Sequence, residues 1–339
     1  MRTAIIGVGK MGRRHIQVVR GLGLDLVAIC DKRPESLELA GTEHDIPTHR
    51  RFTNAAEMLA RTSPECVIIS TTAPSHCEYT CAAAEAGARF ILCEKPMATS
   101  LAQCDRMIRI CEERGVKLAI NHPMRFMEQY TAPKRLAQSE AIGGLRSITV
   151  IAGNLGLAMN GTHLFEMFRF MTDEPTAEVT GWLMPEKVQN PRGAEFEDHG
   201  GAVRVTTAGG KRLYLDLGSD QGHGMLLIFY GRNGRIIVDP FEGLLTVSAR
   251  EEQYRGSPTM RYNLPGLKTK QRIATSADGV EPARRSLEAL LQQTNPPTGE
   301  QGRQALEVLI AAYVSNENGH MPVRLGQTVL PRDRTFAWA

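Results

Sequence analysis

The chain predicts an α/β protein: a doubly wound parallel sheet with helices on both faces, followed by a C-terminal α+β region with a large, mostly antiparallel open sheet. Two observations carry this. Up to about residue 120, apolar strand-like runs alternate with helix-like stretches, as in parallel sheets covered on both faces. From about residue 145 the strand-like runs instead follow one another through turns such as Ala208-Gly209-Gly210 and Arg232-Asn233-Gly234, which implies antiparallel pairing.

In the first region, residues 2–7, 25–30, 66–71, 89–93 and 116–120 read as strands. Helix starts between them are marked by Asn54 before Glu57 and by the capping patterns Ser75-x-x-Glu78 and Ser100-x-x-Gln103. In the second region strands are expected at 146–152, 176–184, 201–207, 211–217, 225–230, 234–239 and 244–248. An apolar helix is expected at 162–172, and amphipathic helices near 279–293 and 299–318, the last closed by Gly319. The polar segment 250–278 has weak periodicity and reads as a long surface loop. A chain of 339 residues suits two domains, here 1–121 and 122–339.

Lysine and arginine number 40 against 37 acidic residues, without a long basic run, so nucleic acid is not an expected partner. No apolar stretch reaches the ~20 residues of a membrane span, and the N-terminus enters a strand without a leader pattern; a cytoplasmic protein is expected. The seven cysteines, at 30, 66, 77, 81, 93, 104 and 111, fall mostly within apolar strands or helices and read as reduced, buried small residues. Cys77 and Cys81 lie one helical turn apart but lack further ligands in metal-site spacing, so no metal is expected.

The first strand runs into Gly7-Val8-Gly9-Lys10-Met11-Gly12, and Asp31 ends the second strand. In this context G-x-G-x-x-G reads as a dinucleotide site. Gly7 serves the tight turn, Gly9 backbone approach to a pyrophosphate and Gly12 helix–sheet packing, while the helix N-terminus offers N–H groups to phosphate. Asp31 would accept from the adenosine ribose and disfavour a 2′-phosphate, whereas Lys32 and Arg33 would attract one. NAD(H) is therefore favoured, with NADP(H) left open.

Cys93-Glu94-Lys95-Pro96 ends a strand at the sheet edge where such a fold presents its ligand. Lys95 there reads either as a substrate hydrogen-bond donor that also tunes a neighbouring acid, or as a surface lysine at a turn. Asn160-Gly161-Thr162-His163-Leu164-Phe165-Glu166 opens the apolar helix. His163 reads as a general base with Glu166 on the same face to orient or charge it, or as a half-buried core histidine. His15 reads as a packing or surface residue, and His199 and His223 as weaker substrate-contact candidates.

Together these stretches, with Cys93-Glu94-Lys95-Pro96-Met97-Ala98 and the terminal helix from Gly302 through Tyr313 to Ser315, resemble the glucose-fructose oxidoreductase / inositol dehydrogenase / MocA-type oxidoreductases over almost the whole chain. The loop Thr71-Thr72-Ala73-Pro74-Ser75-His76 is similar to the family's nucleotide-contacting loop, and Asn121 with Arg125 matches its N-x-x-x-R region. The resemblance implies a Rossmann domain, a second domain whose open sheet carries helices on one face and associates through the other, and a homodimer or homotetramer. It implies NAD(P)-dependent redox chemistry on a sugar, polyol or related carbohydrate.

Under that resemblance Lys95 lies beside nicotinamide and substrate, and His163 exchanges the hydroxyl proton. Cofactor contacts are implied for Gly7, Gly9, Lys10, Met11, Gly12, Asp31, Lys32, Arg33, Thr71, Thr72, Pro74, His76, Glu94 and Lys95. Substrate contacts are implied for Lys95, Asn121, Arg125, Asn160 and His163. One position departs: many members carry an aspartate four residues before the histidine, where this chain has Met159. Either Glu166 compensates or the substrate differs. Two other activities stay open, an NAD-dependent redox-neutral glycoside hydrolase and a non-catalytic nucleotide-binding sensor.

Overall fold

The computed structural model describes residues 1–222, 224–257, 266–274 and 279–339. Its N-terminal sheet contains β1 (Arg2–Ile6), β2 (Asp25–Cys30), β3 (Arg51–Phe52), β4 (Cys66–Ile69), β5 (Phe90–Cys93) and β6 (Lys117–Ile120), all parallel, in the order β3-β2-β1-β4-β5-β6. Helices α1 (Lys10–Gly21), α2 (Pro34–Glu43), α3 (Ala55–Thr62), α4 (His76–Glu85) and α5 (Leu101–Glu113) connect these strands. Runs such as Ile5-Ile6 and Cys66-Val67-Ile68-Ile69 are apolar without alternation because both strand faces are buried. The order reverses between β1 and β4, which places a crevice at their C-terminal ends, where Gly7 and Thr71 stand.

After α6 (Glu128–Ala137) come β7 (Leu145–Gly153), α7 (Thr162–Thr172), β8 (Thr176–Lys187), β9 (His199–Thr207), β10 (Arg212–Gly218), β11 (Met225–Gly231), β12 (Gly234–Asp239), β13 (Leu244–Ala249) and β14 (Lys268–Ala274). Helices α8 (Glu281–Gln292) and α9 (Gly299–Glu317) and strand β15 (Val323–Arg324) complete the described elements. The second sheet has the order β14-β13-β12-β11-β7-β10-β9-β8-β15 and is antiparallel except at β7–β10.

Alternation is visible here. Leu213, Leu215 and Leu217, like Ile148, Val150 and Ala152, are buried on one face, while Tyr214 is 41% exposed on the other. Helix α9 packs on β8 and against α7 and α5, joining the two sheets. Helix α8 returns to the first: Ala283, Leu287 and Leu290 pack with Ile5, Ile16 and Leu92.

Several local expectations are corrected. Residues 250–278 are not simply loop, since β14 pairs with β13; its outward residues are polar, as edge strands often are, which hides its period. Positions 258–265 and 275–278 lie outside the described residues. The two-residue β3 is an added strand too short for any periodicity. Ser75 does not cap α4: a 3-10 turn precedes the helix, and Ser75 Oγ donates to Thr71 Oγ1 at 2.7 Å and Thr72 O at 3.0 Å.

Asn54 and Ser100 do cap α3 and α5, and Thr298 with Gln301 forms a full capping box at α9. Helix α9 ends as its glycine requires. Gly319 takes φ +66°, and the His320 N–H donates to Ser315 O at 2.7 Å.

Candidate active site

The glycine turn is shaped to admit a phosphate. Gly7 has φ +88°, and a Cβ there would lie 2.7 Å from the Ser70 backbone; one on Gly12 would lie 2.0 Å from Gly7 O. Glycine is required at both by internal contact. A Cβ on Gly9 would meet nothing nearer than Arg33 at 3.9 Å, so this residue borders open space at the start of α1. That helix has no side-chain cap and no acidic residue in its first turn, which leaves N–H groups and positive dipole for an anion. Asp31 braces the turn: Oδ2 accepts from Val8 N at 2.9 Å and Oδ1 from Arg33 N at 3.0 Å. Lys10, Lys32 and Arg33 are exposed and Met11 is half-buried around it. These residues fit a dinucleotide.

The loop after β4 places Thr71 and Thr72, both half-buried, beside the turn, with Pro74 exposed. His76 is fully buried between them and the next strand end. Its Nδ1 lies 3.0 Å from Pro96 O and its Nε2 3.1 Å from Thr71 O. Burial lowers its pKa, and a neutral imidazole donates to only one of these carbonyls. His76 thus packs between the two loops from behind and donates to one of them.

Glu94 is buried at the end of β5. Its Oε1 receives His15 Nε2 and Asn121 Nδ2, each at 2.8 Å. Burial works against this carboxylate, but the His15 hydrogen bond and charge, Asn121 and Lys95 outweigh it and hold its pKa at about 2. The Lys95–Pro96 bond is cis. Lys95, 8% exposed, turns toward the second sheet, where Nζ donates to Met159 O at 2.7 Å. Burial brings its pKa down to about 8 against the opposing pull of Glu94 and Asp198.

Met159 belongs to an irregular π turn, Leu157–Gly161, that feeds α7 and its His163. His163 is half-buried and its pKa lies well below the ordinary imidazole value, through burial first and then the charges of Lys95, His122 and Arg192. The His122 ring meets it edge-on at 5.4 Å. Nδ1 of His163 and Oδ1 of Asn121 are buried without a hydrogen-bond partner among the described residues. Asn160, half-buried, lines a cleft of about 540 Å³ together with Gly156, Met159, Pro191 and Asp198.

Glu166 does not serve His163, contrary to expectation. Fully buried, it pairs with Arg125 and, at 3.0 Å, with Arg169; Arg125 also donates to Gln301 at 2.7 Å. Arg125 therefore sits in an internal ion cluster that joins the segment after β6 to α7 and α9. Besides Glu94, which precedes it, the carboxylate whose charge favours the Lys95 ammonium is Asp198, just before β9. Sequence reading missed it, as no motif marks it. His15, read as a packing or surface residue, is the buried partner of Glu94. His199 bonds Met184 O at 2.9 Å and packs on Tyr313, while His223 lies outside the described residues.

A separate groove of about 570 Å³ between α4 and α5 is lined by Cys77, Cys81 and Arg106 and shares no residue with the cleft beside Met159 and Asp198. All seven cysteines are buried free thiols. Among the described residues no cluster of three or more His, Cys, Asp or Glu is arranged to hold a metal, and no helix is long and apolar enough to cross a membrane.

Residues 1–122 match the family described as "Oxidoreductase family, NAD-binding Rossmann fold". The chain is 34% identical over 192 residues to a D-apiose dehydrogenase of Paraburkholderia graminis, an alignment spanning 52% of this chain and half of that protein. With a D-apiose dehydrogenase of Rhizobium rhizogenes identity is 32% over 284 residues, 74% of this chain and 81% of the relative. An oxidoreductase from Agrobacterium radiobacter, solved with NAD+, L-tartaric acid and magnesium, shares the fold with a TM-score of 0.80 at 20% identity, over 97% of this chain and 99% of that one. Fold, glycine turn and relatives agree: the chain belongs to the glucose-fructose oxidoreductase / inositol dehydrogenase / MocA family of NAD-binding oxidoreductases.

Proposed function

We propose that this protein is an NAD(P)-dependent dehydrogenase or reductase acting on a CH–OH or carbonyl carbon of a carbohydrate, polyol or sugar derivative, with NAD(H) as the favoured cofactor. The observation that carries the reading is the meeting of Lys95, from the end of the first sheet, with the turn that leads to His163. The two are joined by the 2.7 Å bond from Lys95 Nζ to Met159 O, beside a cleft of about 540 Å³. Residues 1–121 would bind nucleotide and 122–339 substrate.

Bound nicotinamide would accept or supply the hydride, which is the part of the chemistry no side chain provides. His163, neutral at physiological pH because burial and nearby cations disfavour its charged form, takes the hydroxyl proton in oxidation and returns it in reduction. Lys95 has N–H donors beyond the one on Met159 and directs one at the substrate oxygen, where charge develops as the proton leaves. Asn160 on the cleft wall and the free Oδ1 of Asn121 add polar contacts for hydroxyl groups. The outer face of the second sheet, where Trp182 is 46% and Tyr214 41% exposed, would join subunits in a homodimer or homotetramer.

The test is a titration of the purified protein with NADH and NADPH by nicotinamide fluorescence. Absorbance at the nicotinamide band is then followed with polyols, aldoses and sugar acids in both directions. Binding with turnover supports the dehydrogenase. Release of a sugar leaving group without NADH accumulation would replace it with the redox-neutral hydrolase, and binding with no chemistry on any substrate with the sensor.

A further inference from the structure

We propose that Asp198 is the positioning carboxylate of Lys95, holding the turn on which the lysine rests and keeping the lysine charged. This builds on the proposed function, which gives Lys95 its task, but its primary test needs no substrate. Asp198 is 2% exposed on the wall of the cleft, and a buried carboxylate needs donors for its oxygens. It finds them in the π turn: Oδ1 accepts from Ala158 N and Oδ2 from Met159 N, each at 2.8 Å. These are first-turn N–H groups, which have no acceptor within their own helix. Asp198 caps the turn from the segment just before β9.

Met159 therefore links the two charges. Its N–H is held by Asp198, and its carbonyl receives Lys95 Nζ at 2.7 Å. Asn160, on the cleft wall, and His163 follow on the same turn and helix, so fixing Met159 fixes the backbone that carries both and the carbonyl that receives Lys95. The backbone makes room for this: a Cβ on Gly156 would lie 2.1 Å from Asp198 Oδ2.

The electrostatic part follows from the other groups around Lys95. Arg192, His122 and His163 face it from three other segments, and Glu94 precedes it in the chain. Glu94 is engaged by His15 and Asn121, whereas Asp198 borders the cleft. Burial disfavours the ammonium and Arg192 repels it, while Asp198 and Glu94 favour it. Removing the Asp198 charge leaves burial and Arg192 opposed by Glu94 alone.

The experiment is competitive acetylation of the nucleotide-free protein with acetic anhydride across pH, with Lys95 read by peptide mass spectrometry. In Asp198→Asn, a near-isosteric change that keeps an acceptor oxygen, the midpoint for Lys95 is expected to fall below the wild-type value, because one of the two carboxylates that favour the ammonium is neutralised. NADH fluorescence checks that the nucleotide domain is intact. The reciprocal measurement covers poor folding of that variant: in Lys95→Met, the Asp198 carboxyl carbon, followed by ¹³C NMR, should titrate at higher pH than in the wild type. With a turned-over substrate, the alkaline limb of kcat/KM should move down in Asp198→Asn with the labelling midpoint. A Lys95 midpoint unchanged in folded Asp198→Asn, or an Asp198 titration unchanged in Lys95→Met, overturns the proposal. Failure of every substrate would instead count against the dehydrogenase reading and leave this result standing.

Discussion

His15 and Glu94 meet at 2.8 Å between the phosphate-turn helix and the loop that carries Lys95, with His15 fully buried. Because Asn121 donates to the same oxygen, one carboxylate ties together α1, the end of β5 and the exit of β6. The two ends of the expected cofactor site, phosphate and nicotinamide, are thereby held by a single interior hydrogen-bond network. A low dielectric makes such a network stiff when satisfied and costly when broken.

His15→Ala should therefore destabilise the protein well beyond an ordinary surface change. Removing one partner leaves the Glu94 carboxylate buried with Asn121 as its remaining donor, and an unmet hydrogen bond at a buried polar group costs about 1–3 kcal/mol, more when the group is charged. Urea unfolding measures this. A loss under about 1 kcal/mol would mean that water replaces the imidazole freely.

Acid stability should fall in two windows. His122 has a folded pKa near 4 against an ordinary 6.5, chiefly through burial, so the folded protein binds fewer protons than the unfolded chain between those values. Its contribution is present above about 6.5 and lost as pH falls toward 4. Glu94, at about 2 against 4.5, contributes above 4.5 and loses that contribution as pH falls toward 2. Calorimetric Tm measured from pH 7 to 3 should be flatter above pH 4 in His122→Gln and flatter below pH 4.5 in Glu94→Gln. Parallel curves for all three proteins would remove both assignments.

Much of this arrangement was legible from sequence where a physical rule acts locally. Gly7, Gly9 and Gly12 announce themselves because a tight turn, an open approach and close helix–sheet packing must occur in that order at one strand–helix junction, whereas the hydrogen bonds by which Asp31, read as a ribose acceptor, braces the turn had no sequence signal. The α7 helix matches its expected bounds, since its apolar periodicity is its burial. Asp198 was illegible: nothing near it in sequence reveals that its oxygens serve amides on a turn forty residues earlier. Glu166 misled for a related reason, because its spacing from His163 says which helix face it shares but not that Arg125 waits across that face. Strand β14 was missed because an exposed edge strand has no buried side to write into its residues.

Asp31→Ala should weaken NADH more than NADPH. The carboxylate accepts from Val8 N and Arg33 N and lies 3.5 Å from the Arg33 guanidinium, which it restrains. Without it a 2′-hydroxyl loses a charged acceptor, worth ~10-fold or more in affinity, whereas a 2′-phosphate loses a repulsion and gains Arg33. Fluorescence titration of both nucleotides decides this. Equal losses would limit Asp31 to bracing the turn.

His163→Ala should lower turnover by ~10²-fold or more while NADH affinity stays near the wild-type value, because the residue stands on α7 in the second part of the chain, away from the glycine turn. The pH dependence sharpens the point. A base whose pKa is pushed well below 6.5 stays neutral through the physiological range, so the wild-type rate of oxidation should show no acid limb near pH 6.5. A limb at that pH would mean that the imidazole is more hydrated than its burial implies. Turnover of His163→Ala equal to the wild type on the same substrate would take His163 out of the proton transfer and leave Lys95 as the group to examine.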